Sequence, residues 1–337
     1  MKTVIATMLS AAALVAAAGF AQAQPKKDVT IAHQDMNVPY RVAIDSGEIE
    51  KATGYKINWK FIAGGGDVIR AMGSGDIQVG EAGSSPIAAA VSQGLDVELF
   101  WILDDIADAE ALVARNGSNV NSVADLKGKR VGVPFVSTTH YHLLFALQRA
   151  GVDPRTVDIR NMPPPQIGAA WERGDIDATF VWDPVLARVK GSGKVLVTSG
   201  ELTKAGRPTF DGFVVSRKFA REHPDFMVAF VKALAKADAD YRANKAKWTP
   251  ESPQVKSVAK LTKADAANVP AAMALYRFPT LEEQASNAWL GGGKDSGAAK
   301  ALADTSAFLK EQGRVQALAA DYSKFVNPNF VQKALGK

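Results

Sequence analysis

Apolar positions along the chain follow two alternating periods, one of short strands and one of helices. Val29 to His33 reads as a strand, with the polar turn Gln34-Asp35-Met36-Asn37 at its end. Tyr55 to Ile62 alternates like a strand through Ile57, Trp59 and Phe61. Further strands fall at Ile77 to Gly80, Val97 to Leu103 and Ala111 to Ala114. Helical spacing fills the intervals: Val38 to Thr53, stopped by Gly54; a helix opening at Gly64-Gly65-Gly66; and Ile87 to Gln93, with Pro86 at its first position. The pattern then restarts. A short helix, Ser122 to Leu126, precedes the strand Arg130 to Val133, which Pro134 ends. From His140 onward Leu143, Leu144 and Leu147 recur at helical spacing. Strands Val157 to Arg160, Ala178 to Val181, Lys194 to Val197 and Gly212 to Ser216 follow, with helices over Gln166 to Arg173 and from Trp182-Asp183-Pro184. Beyond Ser216 the pattern is nearly all helical: Pro224 to Tyr241, Lys256 to Leu261, Leu281 to Trp289 and Gly297 to Gln312. This last part carries no evident chemistry and is expected to complete the first lobe.

Alternating strands and helices predict an α/β fold with largely parallel sheets. A faint repeat divides it. Gly75-Asp76-Ile77 and Gly174-Asp175-Ile176 each follow a helix, open a strand and lead to a polar loop. The expected organisation is a first lobe over 24–113, a second over 114–210, and a return to the first over 211–337. Sheets of this kind bind ligands at the carboxyl ends of their strands.

The N-terminus stands apart from that pattern. Lys2, the apolar and small-residue run Val4 to Phe20, and Ala21-Gln22-Ala23 together read as a secretory signal peptide over residues 1–23. Its removal lowers the formal net charge from +5 to +4. There is no Cys, so no disulfide or lipid anchor is available, and an exported chain of 337 residues must rely on its core. The expected location is a bacterial periplasm. Lys and Arg are scattered without a stripe, which argues against nucleic acid.

Candidate chemistry sits at the strand ends. Ser137, Thr138 and Thr139, with His140 beside them, stand where a helix begins, and they offer more hydroxyl groups than one cap needs. Unpaired N–H groups at such a start suit an anion. Gly83-Ser84-Ser85-Pro86 is a second start of this kind, in the other lobe, and Gly64-Gly65-Gly66 a third. An ordinary cap explains each alone; the pairing of two across a cleft favours a ligand. Asp211 and Glu110 lie beside the segments that cross between lobes, on the opposite side of the cleft from the donors, where carboxylates hold an ammonium. Asp104, Asp105 and Asp108 read mostly as solvated acids. Trp182 offers a π face or a core ring, with Asp183 as a cap. Gly291-Gly292-Gly293-Lys294 lacks the spacing of a phosphate loop and reads as a flexible loop. His140 and His142 point to different helix faces and make no metal pair. No nucleophile stands at a recognisable spacing from a base, so neither catalytic nor metal residues nor a cofactor are expected.

The run Val133-Pro-Phe-Val-Ser-Thr-Thr-His-Tyr141 resembles the matching turn of periplasmic taurine-binding proteins, the solute receptors of sulfonate ABC importers. The likeness continues through Gly83-Ser-Ser-Pro86, Pro164-Pro165, Ala169-Ala170-Trp171, Arg173-Gly-Asp-Ile-Asp177, Val181-Trp182, Pro208-Thr209 with Asp211, Phe308-Leu-Lys-Glu-Gln-Gly313 and Asp321-Tyr322-Ser323. It implies a type II periplasmic-binding-protein fold: two α/β lobes with mixed, mostly parallel sheets, two hinge crossings, and a ligand between them. By the resemblance, Ser84, Ser85, Ser137, Thr138, Thr139 and His140 meet a sulfonate and Gln34 adds a polar contact. Asp211 and Glu110 face the ammonium, and Trp182 packs on the short carbon chain. It further implies a monomer that hands taurine or a related small sulfonate to an ABC permease in the inner membrane. Alternatives on the same fold are a receptor for an alkanesulfonate, nitrate or a pyrimidine thiamine precursor, an enzyme, or a sensory receptor. The acidic run Asp104 to Asp108, if it reaches the cleft, favours a more cationic or larger ligand.

Overall fold

The computed structural model describes residues 27–337; the signal peptide expected over 1–23 lies outside them. The β-branched and aromatic runs become ten strands: β1 (Asp28–His33), β2 (Lys56–Phe61), β3 (Val79–Gly83), β4 (Val97–Asp105), β5 (Glu110–Arg115), β6 (Arg130–Val133), β7 (Asp158–Asn161), β8 (Ala178–Trp182), β9 (Gly193–Thr198) and β10 (Phe210–Ser216). They form two five-stranded sheets, ordered β2-β1-β3-β10-β4 and β7-β6-β8-β5-β9. In each sheet four strands run in one direction, and the fifth, β10 or β5, runs antiparallel between its neighbours. The Gly-Asp-Ile repeat marks this symmetry, because β3 and β8, which follow its two copies, hold the same third place in their sheets.

Helices cover the sheets with the apolar faces their spacing predicts. Phe226, Phe230, Val231 and Leu234 of the helix Pro224–Asn244 pack in one core with Ile31, Val79, Phe213 and Val214. Leu143, Leu144 and Leu147 of the helix Thr138–Arg149 pack with Val131, Val133 and Phe180 in the second lobe. Among the described residues no helix is long and apolar enough to cross a membrane.

Several boundaries differ from expectation for local reasons. Val38 to Thr53 forms two helices, Tyr40–Asp45 and Glu48–Thr53, because Gly47 takes φ +68° and breaks the ladder. The helix expected from Ile87 begins at Ser84, so Pro86 is its third residue and both serines lie inside the first turn. Leu281 begins a helix that ends at Ala285 rather than Trp289. The loop after it is packed rather than loose, since a Cβ on Gly291 would lie 2.1 Å from the Ala285 carbonyl oxygen. Ala111 to Ala114 belongs to β5, whose partners β8 and β9 are both in the second sheet. The chain therefore changes sheets at residues 106–109, before the boundary expected at 113, and returns at 199–209. The two crossings touch: Thr198 Oγ1 donates to Asp108 Oδ1 at 2.6 Å, and the Ile106 N–H to the Thr209 carbonyl at 3.4 Å.

The C-terminal segment packs on the edge of the first sheet. Gln284 bonds both backbone groups of Ile102 on β4, at 2.9 and 2.6 Å. Arg277 exchanges backbone hydrogen bonds with Asp105 at 2.8 and 3.0 Å. These contacts hold Tyr276 against the junction of the lobes.

Candidate functional site

Between the lobes lies a narrow void of about 10 Å³, barely room for one water molecule. The lobes are therefore closed on it. Six of the residues singled out in the sequence line it: Gln34, Glu110, Ser137, Thr138, Trp182 and Asp211. Met36, Gly65, Gly83, Pro86 and Tyr276 complete the wall. Ser84, Ser85, Thr139 and His140 are buried beside it without lining it.

The first-lobe wall rests on a buried ion pair. Arg41 and Glu81 are fully buried, with Nη2 3.1 Å from Oε1. Arg41 also donates to the carbonyls of Gln34 (2.8 Å) and Met36 (3.2 Å), and the Glu81 carboxylate accepts from the Gln34 N–H (3.2 Å) and from the Tyr40 hydroxyl. The loop after β1 is thereby fixed, which presents Gln34 and Met36 to the void. Ser84 Oγ accepts from the Phe210 N–H at 3.4 Å and so ties this wall to β10, whereas Ser85 Oγ has no partner.

The second-lobe wall is the start of the helix Thr138–Arg149. Ser137 Oγ accepts from the His140 N–H at 3.0 Å, which caps the helix, and contacts Thr139 Oγ1 at 2.7 Å. The N–H groups of Thr138 and Thr139, too early for intrahelical acceptors, remain as anion donors at the positive end of the helix. His140 is buried beside the void without lining it, and its Nε2 has no hydrogen-bond partner among the described residues. Its ring stacks on Phe135 at 4.6 Å, Nδ1 accepts from the Val136 N–H, and burial pushes its pKa down to about 3. It serves as a neutral wall.

Three carboxyl groups gather at the junction. Asp211 pairs with Asp104 across the β10–β4 ladder, and Glu110 starts β5. Asp105 instead pairs with Arg277, and Asp108 lies in the crossing, so of the acidic run it is Asp104 that reaches the cluster. Burial pushes Glu110 up to about 7, against its hydrogen bonds with Thr138 and Ser199. Burial, then neighbouring acids, pushes Asp104 and Asp211 well above the usual carboxylate range. Glu81 has its cation in Arg41; among the described residues no ion pair involves the other three. Donors and acids adjoin rather than stand on opposite sides: the Thr138 hydroxyl donates to Glu110 Oε1, and a Cβ on Gly83 would lie 2.7 Å from Thr138 Cγ2 and 3.1 Å from Asp211 Oδ1. Among the described residues no cluster of three or more His, Cys, Asp or Glu fits a metal ion.

Several contacts join the lobes beside the void. Trp182 Nε1 donates to Asp35 Oδ1 at 2.9 Å, and burial raises that carboxyl to about 6. Asp183 caps the next helix through the Ala187 N–H at 2.9 Å. Gly66 faces Phe135 and Val136 of the other lobe, so the triple glycine permits close approach of the lobes.

Met36 and Gly65 belong to two turns noted in the sequence, the polar turn Gln34 to Asn37 and the glycine turn Gly64 to Gly66. Tyr276 lies in the part read as chemically silent, and nothing local to it signals the void.

Two five-stranded α/β lobes, crossed twice and closed over a polar void, define the two-lobed periplasmic-binding-protein fold. Residues 51–247 match the family described as NMT1/THI5 like, and the chain belongs to it. Over 326 residues it is 39% identical to the taurine-binding periplasmic protein of Escherichia coli (strain K12), covering 97% of this chain and 98% of that one. The alkanesulfonate-binding protein SsuA of Xanthomonas axonopodis pv. citri, solved bound to MOPS, superposes with a TM-score of 0.73 at 23% identity, over 87% of this chain and 96% of that one. The desulfurization enzyme DSZB has the same fold, with a TM-score of 0.62 at 16% identity, covering 92% of this chain and 99% of that one. The fold by itself therefore does not exclude catalysis.

Proposed function

We propose that this protein is a periplasmic solute-binding protein, not an enzyme, that captures taurine between its lobes and delivers it to an ABC import permease. The observation that carries the ligand is the group of three buried carboxyls without a cation, placed beside the free N–H groups of a helix start. A short zwitterion answers both needs at once. Its sulfonate takes the N–H groups of Thr138 and Thr139. Its ammonium supplies the positive charge that Asp211 and Glu110 lack. Trp182 and Met36 cover the two carbons between. An alkanesulfonate without an amine, or nitrate, leaves the acids unanswered, which argues against those ligands. Closure excludes water, strengthens these contacts and presents one fixed surface to a permease.

The experiment is titration calorimetry of the purified protein with taurine, ethanesulfonate and β-alanine. Tight taurine binding with both analogues weak is the expected result. Equal affinity for ethanesulfonate would remove the ammonium from the reading, and turnover of bound ligand would revive an enzyme.

A further inference from the structure

Behind Glu110, away from the void, runs a chain of buried polar groups that ligand binding as described does not use. Glu110 Oε1 accepts from the Thr138 hydroxyl, and Oε2 lies 3.0 Å from Ser199 Oγ. Ser199 Oγ lies 2.8 Å from His142 Nδ1, and His142 Nε2 lies 2.8 Å from the Arg207 carbonyl oxygen. Glu110, Ser199 and His142 are all buried.

The hydrogens along this chain can be counted. A carbonyl oxygen only accepts, so His142 Nε2 carries a hydrogen. A neutral imidazole then has a bare Nδ1 that needs a donor. The Ser199 hydroxyl has a single hydrogen and faces two acceptors, Nδ1 and the Glu110 carboxylate. One contact is therefore a clash of lone pairs unless a further proton is present. Placed on Glu110 Oε2, that proton satisfies the whole chain. Glu110 donates to Ser199, Ser199 to His142, and His142 to the Arg207 carbonyl.

We infer that Ser199 and His142 are positioning residues that hold a proton on the Glu110 carboxyl in the ligand-free cleft, and that a cationic ligand group expels it, so that binding releases a proton. The proton leaves Glu110 for solvent, the Ser199 hydroxyl turns from His142 Nδ1 to donate to the Glu110 carboxylate, and the ammonium in the void balances the charge of that carboxylate. Burial holds His142 down at about 4 and Glu110 up at about 7, in keeping with a neutral imidazole and a protonated acid. The other titratable groups facing Glu110 are Asp211 with Asp104 behind it, and Tyr276. His142 packs on the rings of Tyr141 and Phe180, and the Arg207 guanidinium lies over Phe145 and Phe308.

The release rests on the cationic ligand proposed above; the resting proton does not, so two measurements separate them. In calorimetry at about pH 6, in buffers of different ionisation enthalpy, taurine should release about one proton. Its apparent affinity should rise about tenfold per pH unit up to about pH 7. Glu110→Gln keeps the donor and acceptor pattern of the protonated acid, and should abolish this release. Tight taurine binding without release, or release unchanged in Glu110→Gln, overturns the inference, the latter by assigning the proton to Asp104 and Asp211. If taurine does not bind, infrared spectroscopy of the free protein decides. The wild-type minus Glu110→Gln difference should show a protonated carboxyl band, and its absence overturns the inference. Ser199→Ala, which removes one oxygen, should lower the pH at which that band disappears. A shift to higher pH would mean that Ser199 donates to a carboxylate, and would refute the chain.

Discussion

Gly83→Ala tests the closed geometry with a single methyl group. Gly83 ends β3 in the first lobe, and its missing Cβ points at Thr138 of the second. The added carbon would lie 2.7 Å from Thr138 Cγ2 and 3.1 Å from Asp211 Oδ1. Carbon atoms settle at about 3.5–4.0 Å, so the first contact is short by roughly 1 Å. Thr138 opens a helix capped through Ser137, and its hydroxyl is held by Glu110, so it cannot swing aside without breaking that bond. Overpacking of this kind costs about 1–3 kcal/mol. The Thr138 contact exists only with the lobes together, so most of the cost falls on the closed state and appears as a loss of affinity of roughly five- to 150-fold. The free protein relieves it by opening and should keep nearly its wild-type Tm. Calorimetry gives the affinity, and small-angle scattering should report lobes that stay apart at ligand concentrations that close the wild type. Unchanged affinity would refute the argument. So would a fall in the Tm of the free protein matching the affinity loss, because the strain would then lie within the first lobe.

Asp211→Asn removes one charge-assisted bond to an ammonium, worth about 1.5–3 kcal/mol, and should weaken taurine by roughly ten- to 150-fold while barely changing ethanesulfonate. Parallel losses in competition binding would remove the ammonium role. Tyr276→Phe takes one hydroxyl from the void wall and should weaken binding several-fold, with the Tm of the free protein unchanged; a large Tm loss would make Tyr276 a core residue instead. The pH profile of stability follows from opposed shifts. Asp35 (about 6), Glu110 (about 7), Asp104 and Asp211 are raised on folding, so the folded state binds more protons and stability falls as pH rises through each window. His33 (about 4), His140 (about 3) and His142 (about 4) are lowered and give the opposite slope, which ends near their unfolded value of about 6.5. Above about pH 6.5 the acids act alone, so the Tm of the free protein should decline with pH, and saturating taurine should flatten that decline. A free-protein Tm that rises between about pH 7 and pH 8 would contradict the shifts.

Much of the site was legible because its signals are local. Ser137, Thr138 and Thr139 announce a helix start by their hydroxyls, and the structure puts two of them on the void. Glu110, Trp182 and Asp211 sit at strand ends, where α/β sheets bind ligands, and all three line it. His140 belongs to the same run, but its ring stacks on Phe135 and does not line the void. Ser84 and Ser85 were marked correctly as a helix start, yet the helix begins two residues earlier than Pro86 suggested and draws them into the wall behind Gly83. Asp104 could not be told from Asp105 and Asp108 in the sequence. Alternation along β4, and the pairing of that strand with β10, sends Asp104 to the cluster and Asp105 to Arg277.

The sequence by itself determined the elements, the repeat behind the two lobes, the absence of disulfides and the residue types offered at the strand ends. These follow from periodicity, glycine and proline punctuation and capping, which act within a few residues of chain. The tertiary structure alone decided which of those residues meet. Asp104 and Asp211 become partners only when β4 and β10 pair. Tyr276 reaches the void only because Arg277 and Gln284 dock on β4. Glu110, Ser199 and His142 join only where the two crossings run side by side. Such contacts unite positions far apart in the chain. They depend on sheet order and register, which are set by packing across the whole core rather than by any local pattern.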